Sequence, residues 1–349
     1  MKSKQYEFSN DADMEMKAKN CSIFFLIYDY ENFIVSKEEL NFPLAYTILT
    51  HKDAVQTEKL LRAIYRPHNI YCIHVDKSSS TSLHNAMKAI ASCFPNVFIV
   101  SKVEDVIYAS FSRLQADLNC MTDLLQTREV PWKYMINLPS QEYPLKTNAE
   151  IVKILKLFHG KSSIEVLSAE NWRHRFQGSH QVIGYEVEPS NKKKDPPPSG
   201  ITIAKGSVYG IFSRSFVNYS INDVNAQEIL KWLEDTYSPD EFFWATLARN
   251  SHLNVPGVFY NGMKSTKFWI AVTVSWEVER KCHGKYVHLI CVFGIGDLNK
   301  LVSEKTLFAN KFYHNYQPLA LQCLEEWHFN KTFSQVPFDS YYYRNLLNQ

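Results

Sequence analysis

Two acidic residues follow a proline in the segment Ser238-Pro239-Asp240-Glu241, and an aromatic stretch through Trp244 comes directly after them. A carboxylate in such a segment can act as a general base that takes a proton from a substrate hydroxyl. The same residues are also typical of a helix start, because Ser238 suits the N-cap, Pro239 suits the first turn and acidic side chains favour the helix dipole. The segment therefore leaves a catalytic role and ordinary helix capping both open.

The sequence contains one Asp-x-Asp pair, Asp11-Ala12-Asp13. Hard cations bind clustered carboxylate oxygens, but this pair lies in a polar N-terminal segment, away from every predicted strand. We therefore expect no metal ion, and we expect Lys, Arg or His side chains to neutralise any bound phosphate. The patterns GxGxxG and GxxxxGK[ST] do not occur, which argues against the dinucleotide-binding and P-loop classes.

The elements that must position these residues alternate between strands and helices in the first half of the chain. Apolar runs predict strands at 44–49, 70–75, 97–100 and 134–138, and helical spacing predicts helices at 56–65, 81–91 and 112–125. This alternation predicts a mostly parallel sheet with helices on both faces. Ligands bind beyond the carboxyl ends of such strands, which makes His51, Asp76 and Tyr108 candidate ligand-binding residues.

The composition is that of a globular chain without a strong overall charge. Its 349 residues include 38 Lys and Arg against 36 Asp and Glu, a net charge of +2, so no whole-molecule field attracts nucleic acid or anionic membranes. Residues 1–40 form a predicted polar lead-in, and residues 41–349 form a predicted single large domain. We expect no signal peptide and no membrane anchor, because the apolar run 23–28 is far shorter than the roughly 20 residues that span a bilayer.

Several longer segments, taken together and in order, resemble one known family. They are Phe42-Pro43-Leu44-Ala45-Tyr46, Leu61-Arg62-Ala63-Ile64-Tyr65, Tyr71-Cys72-Ile73-His74-Val75-Asp76, Gln115-Ala116-Asp117-Leu118-Asn119-Cys120, the Ser-Pro-Asp-Glu segment, Cys291-Val292-Phe293-Gly294-Ile295-Gly296-Asp297-Leu298 and Leu307-Phe308-Ala309-Asn310-Lys311-Phe312. The chain resembles the core 2/I-branching β1,6-N-acetylglucosaminyltransferase family, glycosyltransferase family 14, from about Cys21 to Cys323. The resemblance implies a GT-A-like, Rossmann-type catalytic domain with a nucleotide-binding half, 41–145, and an acceptor and catalytic half, 146–349.

The resemblance also implies an activity that needs neither a metal nor another cofactor. A family member moves N-acetylglucosamine (GlcNAc) from UDP-GlcNAc, with inversion, in β1,6 linkage to a galactose or N-acetylgalactosamine of an O-glycan or a poly-N-acetyllactosamine. The implied partners are UDP-GlcNAc and a glycan on a glycoprotein or glycolipid, and the implied location is the Golgi membrane. The alternative is a catalytically silent member that binds nucleotide or glycan. Three departures from the family pattern favour this alternative. His288 lies where core 2 members have an arginine, Val278 lies where they have a tyrosine, and Pro139 lies where relatives have a free cysteine.

Matching positions give the candidate residues roles by resemblance. Glu241 corresponds to the catalytic base, and Asp240 is expected to be structural. The donor-binding positions are His51, Asp76, Tyr108, His288 and Lys311, of which Lys311 is expected at the diphosphate. The acceptor-binding positions are Trp276, Glu165 and Arg175. From the residues alone, His51 can equally be a buried structural histidine, Trp276 a core residue and Lys311 a surface lysine.

The seven cysteines lack zinc-site spacing, and six of them match the disulfide pattern of the family. The resemblance pairs Cys21 with Cys93, Cys72 with Cys120, and Cys282 with Cys291, and it leaves Cys323 without a partner. Disulfides imply an oxidising lumen, and the sequons at Asn20, Asn218 and Asn330 suit a secretory protein. The absence of an anchor segment predicts a truncated, alternatively started or divergent member of the family.

Overall fold

A five-stranded sheet forms the centre of the molecule. The computed structural model describes residues 9–259, 269–334 and 338–347. The central α/β layers contain β1 (Leu44–Thr50), α4 (Ala54–Ile64), β2 (Ile70–Val75), α5 (Thr81–Ser92), β3 (Val97–Ile99), α6 (Phe111–Gln126) and β4 (Tyr134–Pro139), preceded by three helices, α1 (Asp11–Ala18), α2 (Cys21–Tyr28) and α3 (Lys37–Leu40). The strand order is β10-β4-β1-β2-β3, where β10 is Ile211–Ser213.

The central sheet is parallel except for one edge strand. Strand β1 pairs in parallel with β2 and β4, so that Thr47 lies opposite Cys72 on one side and Asn137 on the other, and only β10 runs antiparallel. Every residue of β1 and β2 is buried, as expected of strands with helices on both faces. The predicted fold class, a mostly parallel sheet flanked by helices, is confirmed.

The rest of the chain adds short strands and helices around this sheet. They are β5 (Glu142–Pro144), α7 (Asn148–Leu157), β6 (Leu167–Ser168), β7 (His180–Ile183), β8 (Glu186–Pro189), β9 (Ala204–Lys205), α8 (Arg214–Asn222), α9 (Val224–Leu233), α10 (Phe243–Arg249), β11 (Val272–Val274), β12 (Lys285–Val287), β13 (Ile290–Val292), α11 (Leu298–Ser303), β14 (Phe308–Asn310), α12 (Pro318–Phe333) and α13 (Tyr341–Leu347). A second sheet has the order β11-β14-β5, and three two-stranded ribbons pair β6 with β9, β7 with β8 and β12 with β13.

The N-terminal segment differs from the polar lead-in that its composition predicts. Helices α1 and α2 pack against the core, where Met14 and Phe24 are fully buried. The Phe24 ring stacks at 5.7 Å on Tyr30, which in turn contacts Phe94 at 4.7 Å. The high content of charged residues in this segment hides the pattern of apolar residues that form its buried face. Helices α1 and α2, before residue 41, therefore belong to the same packed body as the sheet.

Three disulfide bridges join the elements, with the pairing that the resemblance implies. Cys21–Cys93 connects α2 to the end of α5, Cys72–Cys120 connects β2 to α6, and Cys282–Cys291 closes the β12–β13 ribbon. Cys323 is a free, exposed thiol on α12. None of the helices in the described ranges is both long and apolar enough to cross a bilayer.

Removal of the Cys72–Cys120 bridge is expected to lower the free energy of unfolding by about 4 kcal/mol, because a bridge with a sequence separation of 48 restricts the unfolded chain strongly. The Cys282–Cys291 bridge spans a separation of only 9 and is expected to contribute about 2.5 kcal/mol on the same basis. Denaturant titration of the two double-alanine variants measures both values. A larger loss for Cys282 and Cys291 than for Cys72 and Cys120 would contradict this ranking.

Candidate active site

The Ser238-Pro239-Asp240-Glu241 segment forms a strained turn and not a helix cap. Ser238 has a positive φ of 52°, and its side chain makes no capping hydrogen bond. A single 3₁₀ turn covers Pro239–Glu241, and helix α10 begins only at Phe243. The capping interpretation of Ser238 was therefore wrong. Left-handed backbone at a residue other than glycine costs free energy and is concentrated at functional sites.

The Glu241 carboxylate lies between two basic side chains. Arg175 Nη1 donates a short hydrogen bond to Glu241 Oε2, and Lys205 Nζ lies 3.8 Å from the same oxygen. Tyr237 fixes Arg175 in turn, because its backbone N–H donates to the Arg175 carbonyl at 3.0 Å and its ring lies 5.6 Å from the guanidinium. The carboxylate is about one-fifth exposed and is therefore accessible to a ligand.

The backbone of Glu165 lies very close to that of Gly206, and this contact places Glu165 near Glu241. The Gly206 N–H donates to the Glu241 carbonyl at 2.7 Å, and a Cβ at this glycine would lie only 2.1 Å from the Glu165 carbonyl oxygen. Only glycine fits between these two segments. Burial raises the pKa of the Glu165 carboxyl, and the charge of Lys205 opposes that rise.

The turn is also joined to the loop that precedes α6. The Ser238 N–H donates to the Ala109 carbonyl at 2.7 Å, and Ala109 has a positive φ of 63°. Next to it, Tyr108 is 76% exposed and projects toward solvent at the cavity edge. Within the turn, burial raises the pKa of Asp240 to about 6, although the nearby charge of Arg113 opposes this effect.

The ends of β1 and β2 supply the predicted His51 and Asp76. Asp76 is buried, and its Oδ1 accepts hydrogen bonds from the Ser78 N–H at 3.0 Å and the Val106 N–H at 3.3 Å. These bonds fix the carboxylate at the carboxyl edge of the sheet. His51 is exposed at the same edge, so that it is not a buried structural histidine.

Lys311 and His288 meet at the tip of the β12–β13 ribbon. His288 and Leu289 form its two-residue turn, and both have positive φ, 52° and 65°, as in a type I′ turn. Lys311 Nζ donates to the Val287 carbonyl at 3.0 Å, next to His288. Lys311 is only 8% exposed, which excludes an ordinary surface lysine, and desolvation followed by the charge of Lys52 lowers its pKa.

Trp276 forms a wall between two cavities. It is 42% exposed, which excludes the core-packing interpretation. Its backbone forms a β-bridge with Ile290, which joins this residue to the β12–β13 ribbon. The larger cavity lies on one side, and a smaller one of about 620 Å³ includes Trp276, Val278 and Leu289 in its lining.

The larger cavity has a volume of about 1160 Å³. It is lined by all the residues that the sequence predicts for donor binding, acceptor binding and catalysis. Its lining includes His51, Asp76, Tyr108, Glu165, Arg175, Glu241, Trp276, His288 and Lys311. This volume exceeds that of an ordinary small-molecule site, about 300–1000 Å³, and is enough for two ligands side by side. The roles of these residues stay predictions, but their common location is a property of the fold.

Comparison with known proteins identifies the family. The family model for the Core-2/I-branching enzyme matches residues 44–302. The chain belongs to the Core-2/I-branching enzyme family. It is 42% identical over 323 residues to the human β-1,3-galactosyl-O-glycosyl-glycoprotein β-1,6-N-acetylglucosaminyltransferase 3, a match that covers 88% of this chain and 73% of the relative.

Two further Core-2/I-branching relatives match at the same level. The human N-acetyllactosaminide β-1,6-N-acetylglucosaminyl-transferase is 42% identical over 342 residues, which cover 95% of this chain and 83% of that protein. A β-1,3-galactosyl-O-glycosyl-glycoprotein β-1,6-N-acetylglucosaminyltransferase of bovine herpesvirus 4 (strain DN-599) is 42% identical over 323 residues, with coverage of 88% and 72%. The similarity therefore extends over the whole cavity described above.

Sequence reasoning missed several residues of this Core-2/I-branching site. Lys205 and Gly206 contact the Glu241 segment, and Arg113 and Tyr313 also line the cavity. Lys205 ends the two-residue strand β9 and Gly206 follows it, and a strand this short has no periodic signal. Arg113 lies in the predicted helix α6, but nothing in its spacing distinguishes it from a surface arginine.

The acidic pair Asp11 and Asp13 is used in helix caps. Asp11 Oδ1 accepts a hydrogen bond from the Ala54 N–H at 2.8 Å at the start of α4, and Asp13 completes a capping box with Asn10. Neither residue lines the large cavity.

A separate group has metal-ligand geometry and consists of Cys282, Cys291 and Asp297. Its two sulfurs are bonded to each other and are therefore not available as thiolate ligands.

The three sequon asparagines are exposed. Asn20 caps helix α2 by accepting a hydrogen bond from the Ile23 N–H at 3.2 Å. Asn218 lies in α8 and accepts a hydrogen bond from Asn222 at 3.0 Å, whereas Asn330 lies near the end of α12. Exposure is compatible with a glycan at each position, and their glycosylation stays a prediction.

Proposed function

We propose that this protein is an inverting β1,6-N-acetylglucosaminyltransferase that uses UDP-GlcNAc as donor and a galactose or N-acetylgalactosamine of a glycan as acceptor. The curated relatives reported above carry this activity in their names. The observation that carries the proposal is that one cavity combines the accessible Glu241 carboxylate with the Lys311 ammonium and the Asp76 carboxylate. A base, a phosphate-binding cation and a hydrogen-bond acceptor for ribose are the groups that such a transfer requires.

Glu241 is the proposed general base of a single displacement. The primary hydroxyl oxygen of the acceptor attacks the anomeric carbon, Glu241 takes the hydroxyl proton, and the bond from that carbon to the UDP oxygen breaks. One carboxylate suffices for this step, because a second is required only where a covalent glycosyl-enzyme forms. Arg175 and Lys205 hold the carboxylate in position until the acceptor hydroxyl joins them.

The donor is proposed to lie along the carboxyl edge of the central sheet. Asp76 accepts hydrogen bonds from the ribose hydroxyls, and His51 and Tyr108 contact the nucleotide from either side. Lys311, with His288 at the adjacent ribbon tip, stabilises the negative charge that develops on the departing diphosphate.

The acceptor is proposed to bind between Trp276 and the Glu165–Arg175 side of the cavity. The apolar face of a pyranose ring stacks on an indole, and Trp276 presents such a surface. Glu165 and Arg175 provide a carboxylate and a guanidinium for the remaining sugar hydroxyls. Core 2, core 4 and I-branch acceptors all offer the primary hydroxyl that this chemistry uses.

The protein is proposed to act in the Golgi lumen. Three disulfide bridges suit an oxidising compartment, and the exposed sequon asparagines suit the secretory pathway. Relatives that act on O-glycosyl-glycoproteins and N-acetyllactosaminides have substrates that belong to this pathway.

Sugar transfer is expected to be independent of a metal ion. The Asp-x-Asp pair caps helices and does not line the cavity, whereas lysine and histidine side chains do. Transfer from UDP-GlcNAc to an acceptor should therefore proceed at the same rate in excess EDTA. Loss of transfer on chelation, with recovery on addition of Mn²⁺, would contradict the assignment of Lys311 to the diphosphate.

A catalytically silent binding protein is the second candidate. His288 and Val278 favour it, because core 2 members carry an arginine and a tyrosine at these positions, although I-branching members resemble this chain in having a histidine at the first of them. The two candidates differ in one measurement. Incubation of the secreted, disulfide-bonded protein with UDP-GlcNAc and a panel of core 1, core 3 and N-acetyllactosamine acceptors yields a new product only if the protein is an enzyme, whereas UDP binding without any product indicates the silent form.

A further inference from the structure

Three lysine ammonium groups surround the ring of Tyr313 at the edge of the large cavity. The Nζ atoms of Lys52, Lys311 and Lys285 lie 5.1, 5.7 and 6.0 Å from the ring centroid. They come from three separate segments, namely the loop after β1, the loop after β14 and strand β12. We call Lys52, Lys285, Lys311 and Tyr313 the lysine cluster.

The backbone holds the lysine cluster in place. Thr50 Oγ1 donates to the Lys52 carbonyl at 3.2 Å, and Lys311 Nζ donates to the Val287 carbonyl on the strand that carries Lys285. The Phe312 N–H, next to Tyr313, donates to a carbonyl on the loop that leads into β5. These bonds fix the backbone segments that carry the four side chains, and they also hold the Lys311 ammonium.

Their positive charge is not balanced by acidic side chains. In the described parts of the chain, none of the three lysines has a carboxylate oxygen within 4.0 Å. Asp53, the sequence neighbour of Lys52, instead pairs with His314 and caps α4. Contact with an aromatic face compensates an ammonium only weakly, and three like charges around one ring repel one another.

Three of the four members of the cluster line the cavity that holds the donor in the proposed function, whereas Lys285 lies next to this lining, with its Nζ 4.3 Å from the centroid of the Tyr316 ring. Lys52, Lys311 and Tyr313 line the cavity together with His51 and Asp76. Desolvation and the charge of Lys52 lower the pKa of His51, the charge of Asp76 opposes this effect, and the charge of Lys311 adds a weaker lowering. A departing nucleoside diphosphate carries about three negative charges near neutral pH, so that its charge matches that of the cluster.

We infer that the lysine cluster binds both phosphates of the nucleoside diphosphate, so that Lys52 and Lys285 share with Lys311 the neutralisation of the leaving group. This inference rests on the proposed function and extends it to two lysines and a tyrosine. It makes the site selective for a diphosphate over a monophosphate, because only the longer ligand spans the ammonium groups around Tyr313.

The test compares UDP and UMP binding, measured by isothermal titration calorimetry, for the parent protein and the K52Q/K285Q double variant. Both lysines are exposed, and their replacement leaves the core unchanged. The double variant is expected to bind UDP about 10-fold more weakly and UMP less than about 3-fold more weakly, and its UDP affinity should depend less steeply on salt. The matched control is Lys305→Gln. Lys305 lies outside the cavity, with its Nζ 5.9 Å from the centroid of the Tyr342 ring, and this variant should bind UDP like the parent protein.

Parental UDP affinity in K52Q/K285Q, or an equal loss for UDP and UMP, would overturn the inference. The Lys311→Gln variant then separates two failures. If Lys311→Gln weakens UDP binding while the double variant does not, only the role of Lys52 and Lys285 is wrong. If Lys311→Gln also binds UDP like the parent, the donor site of the proposed function is wrong as well.

Discussion

Replacement of Glu241 by glutamine is expected to lower turnover by roughly 10²- to 10⁴-fold, the usual contribution of a general base. Glutamine keeps the size of the side chain and can still accept a hydrogen bond from Arg175, but it cannot take the acceptor proton. UDP affinity should stay within about 2-fold of the parent, because the donor contacts in the proposed site do not include Glu241. Steady-state kinetics with UDP-GlcNAc and calorimetry with UDP measure the two quantities on the same preparation.

The matched control for this variant is Glu170→Gln. Glu170 is an exposed glutamate whose ion-pair partner is Arg173, on the same short 3₁₀ helix that carries Arg175. Its replacement removes one negative charge near the site without touching the cavity lining and should leave turnover at the parental rate. Parental turnover in Glu241→Gln itself would mean that another group takes the proton.

Replacement of Lys311 by glutamine is expected to lower turnover by roughly 10²- to 10³-fold, comparable to the loss of one preorganised group that stabilises developing charge. The Lys311 ammonium is almost fully buried and held by the Val287 carbonyl, so that it is in place before the diphosphate departs. Burial and the nearby positive charge of Lys52 lower the pKa of Lys311, and both effects make the binding of an anion next to Lys311 more favourable.

The kinetic signature of Lys311 differs from that of a lysine that only binds the donor. An interaction made mainly in the transition state lowers kcat and kcat/KM together, whereas a ground-state contact raises KM with kcat unchanged. Lys311→Gln should show the first pattern, with Lys305→Gln again as the matched control. A change confined to KM would reassign Lys311 to donor binding alone.

The sequence predicted the central sheet well because its strands are continuous apolar runs between helical patterns. Observed β1 and β2 cover Leu44–Thr50 and Ile70–Val75, within one residue of the predicted ranges. A strand buried on both faces produces such a run regardless of the rest of the chain. His51 and Asp76 could be found for the same reason, since both come directly after these strands.

The part of the site that the second half of the chain forms could not be predicted in this way. Its strands β6 and β9 have two residues each, and the β12–β13 ribbon turns at His288 and Leu289, which lack the glycine or asparagine typical of such turns. Long-range backbone contacts, such as the Gly206 N–H with the Glu241 carbonyl, position these segments. The resemblance located Glu165 and Arg175 there, but no local pattern predicts their contact with Glu241.

Buried charges were also hidden from sequence reasoning. Lys194 lies in a Lys- and Pro-rich loop, a composition typical of exposed segments, yet it is only 8% exposed. It pairs with Asp235, and its Nζ lies 4.2 Å from the centroid of the Trp232 ring. A lysine that finds both an acidic and an aromatic partner can be buried, but these partners lie about 40 residues away in the sequence.

The identity of the sugar linkage tests the central claim most directly. The secreted protein is incubated with UDP-GlcNAc and with core 1 and N-acetyllactosamine acceptors, and the purified product is analysed by NMR. An inverting transferase with Glu241 as base predicts one new GlcNAc in β configuration, linked to the primary hydroxyl at carbon 6 of the galactose or N-acetylgalactosamine. An α-linked product, a linkage to another carbon, or no product from any acceptor would contradict the account.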